Sequence, residues 1–151
     1  MPSPNDISEV YKNALSTRQN SDFGEVIAFC EKNQKCQKDN SLKKNMMLFW
    51  SYKKIALFYE KSKNYEKAYL FWQKVNKLQI KPELRVKVGH KLLRLVNDMK
   101  MSIDKKAGEI VKIAGYMQKA YKELGNVKSI ERIAKLQSVA EKLLKKSKYL
   151  H

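Results

Sequence analysis

Glycine and proline are scarce, five and three residues in a chain of 151. Sandwiches and barrels need frequent turns, most of them built on Gly, Pro, Asn or Asp. So few of the first two argue against an all-β fold. Cysteine is limited to Cys30 and Cys36. Two cysteines are too few to staple a secreted domain, and no histidine lies near them to complete a zinc site. Cys30 reads as a small core residue in an apolar helix, and Cys36 sits among Lys and Gln, so a disulfide between them is open but two unpaired thiols are the expected state. Histidine is confined to His90 and His151. There is no nucleophile-base-acid order, no Gly-rich phosphate loop, no His-x-x-x-His pair and no pair of carboxylates placed for acid-base work. These absences point away from an enzyme and from any cofactor, bound metal or small-molecule substrate. The longest apolar run, Met46 to Trp50, is far short of the roughly 20 residues that span a bilayer. The N-terminus lacks a basic-then-apolar signal pattern. A location in the cytoplasm, nucleus or nucleoid is expected. The last shortage is acidic: 15 Asp and Glu stand against 32 Lys and Arg, a formal net charge of +17.

What is present is helical. Hydrophobic residues make up 43% of the chain, enough for a core despite 31% charged residues. Apolar residues recur with a period near 3.6 almost throughout, and no stretch alternates with period two. The pattern predicts one all-α domain over 1–151 with about seven helices. Helix one runs from Ser3 to about Arg18, with Pro4 in its first turn and Asp6 in a capping-box-like pattern. Helix two runs from about Asp22 to Asn33, and Gln34 to Asn40 reads as a loop. Helix three runs from Asn40 or Ser41 to about Lys61, and helix four from behind Asn64 to about Leu78. Helix five covers about 82–99, with Leu84, Val88, Leu92, Leu95, Val96 and Met99 on its apolar stripe. Helix six opens at Ser102 and ends at Gly125-Asn126, with Ile110, Ile113, Ala114, Met117, Tyr121 and Leu124 on one face. Helix seven covers about 127–148, with Ile130, Ile133, Ala134, Ala140, Leu143 and Leu144 inward.

Helices three and four carry a family pattern between Phe49 and Pro82. Tyr52, Ile55, Ala56 and Tyr59 precede a turn, and Tyr65, Ala68, Trp72 and Val75 follow it. Ala56 and Ala68 are small enough to let two helices approach closely, and Tyr52, Tyr59 and Trp72 are large enough to fill the space around the contact. This spacing resembles a tetratricopeptide repeat. Helices one and two echo it through Val10, Ala14, Phe23, Val26 and Cys30. The resemblance implies stacked antiparallel hairpins in a right-handed array: two such hairpins over 1–81, followed by more basic helices over 82–151. The segment Ala56, Glu60, Tyr65 to Ala68 and Trp72 is also faintly similar to the PerC-type bacterial transcription activators.

The charge is uneven. Residues 85–151 hold 17 basic and 6 acidic residues, a net of +11, whereas residues 1–84 hold 15 and 9, a net of +6. Lys87, Lys91 and Arg94 follow i, i+4, i+7 spacing and line one side of a helix, which makes His90 beside them a surface residue. Lys128, Arg132 and Lys135 repeat the spacing, and Lys142, Lys145, Lys146 and Lys148 crowd the end of the last helix. Each stripe taken singly reads as solvated helix surface. The whole set, unbalanced by acid, points to a polyanion partner: DNA, RNA or nucleoprotein. Only four basic residues are Arg, so point charges outnumber bidentate readers. Trp50, Lys53 and Leu57 lie off the core positions of the repeat. Cover from helix two or five is the simpler expectation for them. On the tetratricopeptide resemblance they would instead line a partner groove. An adaptor or secretion-type chaperone holding an acidic, partly apolar protein segment is therefore the alternative to nucleic-acid docking. A membrane surface ranks behind both.

Overall fold

The computed structural model describes residues 6–150, with side chains as far as Lys146. Among these residues there are eight α-helices and no strand: α1 (Ile7–Thr17), α2 (Asn20–Lys32), α3 (Gln34–Lys38), α4 (Leu42–Lys61), α5 (Tyr65–Val75), α6 (Pro82–Asp98), α7 (Ile103–Leu124) and α8 (Val127–Leu150). The chain forms two compact units, one ending at Ile80 and the other starting at Lys81. Among the described residues no helix is long and apolar enough to cross a membrane.

Short polar side chains start most of the helices. Asp6, Ser41, Asn64 and Ser102 each accept a hydrogen bond from the backbone N–H three residues on, at Glu9, Lys44, Lys67 and Lys105. Asn126 does the same for Ser129 at the head of α8, at 3.1 Å. Each such cap satisfies a donor that the first turn leaves over and contributes about 1 kcal/mol. The start of helix one expected at Ser3, with Pro4, lies outside the described residues. Pro82 opens α6, where no N–H is needed. Gly125 closes α7 in the left-handed conformation at φ 69°. Arg18 and Lys63 also take this conformation, at φ 58° and 59°, behind α1 and α4.

In the first unit α2 packs on both α1 and α4, and α5 completes a hairpin with α4. Ala14, Val26, Ala56, Ala68 and Val75 are wholly buried, so the crossings use small side chains at the closest points. Larger residues fill the surrounding space: Phe49, Tyr52 and Trp72 are buried. Tyr59 stacks on Phe71 with centroids 5.6 Å apart. Trp72 donates its indole N–H to Glu60 at 3.1 Å, which satisfies the one polar atom that burial of the ring would otherwise orphan.

The loop expected over Gln34 to Asn40 contains a short helix, α3. Asn33 caps it by accepting from the Cys36 N–H at 3.1 Å. Cys36 is joined to Cys30 by a disulfide, with Cα atoms 5.2 Å apart. Both cysteines are buried, and the bond between them corrects the expectation of two separate thiols. Behind α3, Asn40 and the buried Asn45 converge on Gln79. Asn40 donates to its side-chain oxygen at 2.8 Å, and Asn45 donates to its backbone carbonyl at 3.1 Å.

In the second unit α7 packs on α6 and, more extensively, on α8. Val88, Leu92, Leu95 and Val96 of α6 and Ile113, Ala114, Met117 and Ala120 of α7 are buried. Burial of each larger apolar side chain contributes about 1.5–3 kcal/mol. Gly89 of α6 lies directly against Met117. Gln137 of α8 reaches α7 twice, accepting from Gln118 at 2.8 Å and donating to the Val111 carbonyl at 3.3 Å. Three residues expected inward are exposed instead: Leu124, Ala134 and Leu143. Only Ile133 and Ala140 of the inward set on α8 are fully buried. The reason is that α8 has one substantial neighbour, α7, so a single narrow side of it is covered.

Candidate nucleic-acid interface

The boundary between the units also divides the charge. From Lys81 onward there are 18 basic and 7 acidic residues, a net of +11. Up to Ile80 there are 14 and 8, a net of +6. The helices of the second unit set out this excess in rows, because residues seven apart in sequence fall about 20° from alignment on a helix.

On α8 the residues opposite the buried Ile133 and Ala140 are Lys128, Lys135, Lys142 and Lys146. All four are exposed. Seven-residue steps of 1.5 Å per residue space the first three about 10 Å apart, and the row to Lys146 is roughly 27 Å long. Arg132 stands to one side of this row and Lys145 to the other, both exposed. The side chain of Lys148 is outside the described residues. The exposed Val139 and Leu143 lie beside the row on the Arg132 side, so the face is basic with an apolar edge.

On α6, Lys87 and Arg94 are exposed on the side away from Val88, Leu92 and Leu95, and Lys91 is half-buried at the edge of that apolar stripe. His90 is exposed between them, with its Nε2 3.2 Å from the Tyr121 hydroxyl. A lone imidazole held by a phenol has neither a nucleophile nor an orienting carboxylate. The α6 stripe and the α8 row occupy separate helices, each packed on α7.

The structure adds a third row that the sequence reading passed over. Lys105, Lys112 and Lys119 of α7 are all exposed at seven-residue spacing, on the side of α7 opposite its buried Ala114 and Tyr121. In the sequence its signal is an interval alone, 105, 112 and 119 repeating that of 128, 135 and 142, which acquires a meaning once the buried side of α7 is known. An acidic residue tempers the α7 row where Glu109 lies 3.8 Å from Lys112, and outside the rows Glu123 pairs with Arg85. Beside that second pair, Tyr116 keeps its hydroxyl buried without a hydrogen-bond partner. Desolvation pushes its pKa up to about 12, against a smaller opposing pull from Arg85.

In the first unit Trp50 is 44% exposed, not buried as cover by another helix would leave it. Its ring rests edge-to-face on the buried Phe49, with centroids 5.3 Å apart. The Lys53 ammonium stands over the ring, 4.9 Å from its centre. Leu57 is half-buried one turn further, and Phe58 beside it is 48% exposed.

Among the described residues no three His, Cys, Asp or Glu side chains gather where they could hold a metal ion. No protein-family model, curated protein or solved structure matches this chain.

Proposed function

We propose that the chain is a non-enzymatic binding protein that docks on nucleic acid or nucleoprotein through the basic helices of its second unit. The observation that supports this reading is the exposure of three lysine-rich helix faces on a unit carrying +11. Solvation alone does not call for such an imbalance, since mixed charges serve solubility equally well. A phosphate backbone does: each neutralised phosphate releases a counterion, and lysine point charges spaced along a helix suit a contact that does not read base edges. The corresponding compartment is the cytoplasm, nucleus or nucleoid.

The test is a salt titration with a short duplex and a single-stranded RNA, followed by fluorescence anisotropy. Six or more phosphate contacts would weaken binding about a thousandfold or more between roughly 50 and 200 mM salt. Reversing Lys128, Lys135 and Lys142 to Glu should weaken binding while leaving the helix content intact, because all three side chains are exposed. A flat salt response would remove the proposal.

A second reading rests on Trp50. We take the first unit to be tetratricopeptide-like, with Trp50, Lys53 and Leu57 forming an anchor for an acidic, partly apolar protein segment. The exposure of a large aromatic under a lysine favours it. Trp50→Ala should then abolish capture of such a peptide, as buried Trp anchors contribute about 2 kcal/mol or more at interfaces. Unchanged peptide affinity in this variant would remove the second reading.

A further inference from the structure

Cys30 and Cys36 are the only two cysteines of the chain, and they are bonded to each other. The bond closes a separation of six residues. A loop that short gives up less chain entropy in the unfolded state than a longer one would, so the cross-link's contribution to global stability lies at the low end for a disulfide. Its local effect is larger. It fastens α3, a helix of five residues that packs on α2 and is too short to persist by itself. The remaining ties are local: Asn33 holds the Cys36 N–H, and Lys35 and Cys36 hold the Asp39 N–H. The segment then passes through Asn40 to Gln79, two residues before the second unit begins. Beside the bond is a cleft whose lining includes Phe29, Lys35 and Cys36 together with the carboxylates of Asp6 and Asp39, and it gives an attacking thiolate a path to the Cys36 side, with Lys35 as the cation on that path.

We infer that Cys30–Cys36 is a reversible thiol-disulfide site that orders residues 33–41, and that its co-reactant is a dithiol reductant. The reductant's thiolate attacks the Cys36 sulfur through the cleft, forms a mixed disulfide and expels Cys30 as thiolate. The reductant's second thiol attacks its own sulfur in that mixed disulfide and expels Cys36. Two electrons and two protons pass to the protein, leaving two thiols, and the reductant departs as its disulfide. Without the cross-link α3 rests on the Asn33 cap, the bond from the Gln37 amide to the Glu31 carbonyl of α2 and a few backbone bonds, too little to hold five residues in a helix, so it frays. Asn40 then loses its fixed place against Gln79, and the buried Asn45 loses one of its two acceptors. The packing of α1, α2, α4 and α5 does not pass through α3 and is retained.

The experiment is amide hydrogen exchange on the whole chain, oxidised and then reduced by dithiothreitol. The expected result is protection at Cys36, Gln37 and Asp39 in the oxidised form and at least a tenfold faster exchange there on reduction. Phe49, Tyr52 and Leu92 should keep their protection, and reoxidation should restore the first pattern. The double variant Cys30→Ser, Cys36→Ser should show the reduced pattern without reductant. Unchanged exchange at residues 36–39 on reduction would overturn the inference, as would collapse of protection across the whole first unit, which marks a structural bond. A third refutation is a disulfide that survives every glutathione buffer up to the cytosol-like reducing limit.

Discussion

Two helix glycines of the second unit should respond to the same substitution with opposite signs. In a helix interior Gly→Ala normally stabilises by about 1 kcal/mol, because alanine has less backbone entropy to lose. Gly108 of α7 shows the uncomplicated case: a Cβ there meets nothing within 4 Å. Gly108→Ala should therefore gain the full amount. At Gly89 of α6 a Cβ would stand 2.2 Å from the Met117 Cγ and 2.6 Å from its sulfur. Met117 is wholly buried, and its Cγ is too near the backbone to move aside without a new rotamer. Overpacking of this kind costs about 1–3 kcal/mol. Set against the propensity gain of about 1 kcal/mol, Gly89→Ala should lose up to about 2 kcal/mol, with a gap between the two variants of about 2 kcal/mol. Urea unfolding followed by far-UV circular dichroism measures both. Amide exchange at Leu92 and Met117 assigns the change to the second unit, which contains no tryptophan to report it. Shortening Met117 to Ala in the Gly89→Ala background removes the clash, so the two substitutions together should cost less than the sum of their separate effects. If Gly89→Ala proves as stable as Gly108→Ala, the close approach of α6 and α7 does not exist in solution.

Three further outcomes follow from the burial pattern. Ala68→Leu should destabilise the first unit by about 1–3 kcal/mol or more, since Ala68 is wholly buried at the α4–α5 crossing; an unchanged melting temperature would show the crossing to be looser than described. Trp72→Ala should cost about 3–5 kcal/mol, whereas Trp50→Ala should cost under about 1 kcal/mol, because the first ring is 4% exposed and the second 44%; equal losses would place both in the core. Burial holds Tyr116 protonated in the folded chain up to about pH 12, against about 10 when unfolded. A group with a raised folded pKa favours folding below its unfolded pKa, so this contribution is lost as the pH climbs from about 10 to about 12. Tyr116→Phe should flatten the fall of unfolding free energy over that range, and an unaltered slope would mean that the hydroxyl is solvated.

The helices were legible because their ends are written in local chemistry. Ser41, Asn64 and Ser102 cap where short oxygen-bearing side chains precede periodic stretches, and Gly125 sits where the left-handed turn is needed. Helix α3 was not legible for the complementary reason. Its five residues show no apolar period, and what holds it is a bond from Cys36 back to Cys30 together with the Asn33 cap. The exposure of Leu143 was equally out of reach, because periodicity reveals which face of a helix is apolar and not how many neighbours will cover it. Trp50 shows the same limit, since its register placed it off the repeat core but could not say whether another helix lay above. Of the three basic rows, those at Lys87 to Arg94 and Lys128 to Lys146 were legible and the one on α7 was not. The row at Lys105, Lys112 and Lys119 needs the buried side of α7 to be known before its alignment means anything.

Arg18 and Lys63 bear on whether the positive charge is incidental. Each sits in a left-handed backbone conformation, at φ 58° and 59°. An L-residue is strained there by roughly 1–2 kcal/mol, and glycine is not. Asparagine or aspartate would relieve part of the strain by bonding to its own backbone, which a long cationic side chain does not do. At two of the positions where local geometry most favours a small or neutral residue, the chain carries a cation, and Arg18 is one of only four arginines. Replacing either cation by Gly would therefore lower the net charge and relieve backbone strain in the same step.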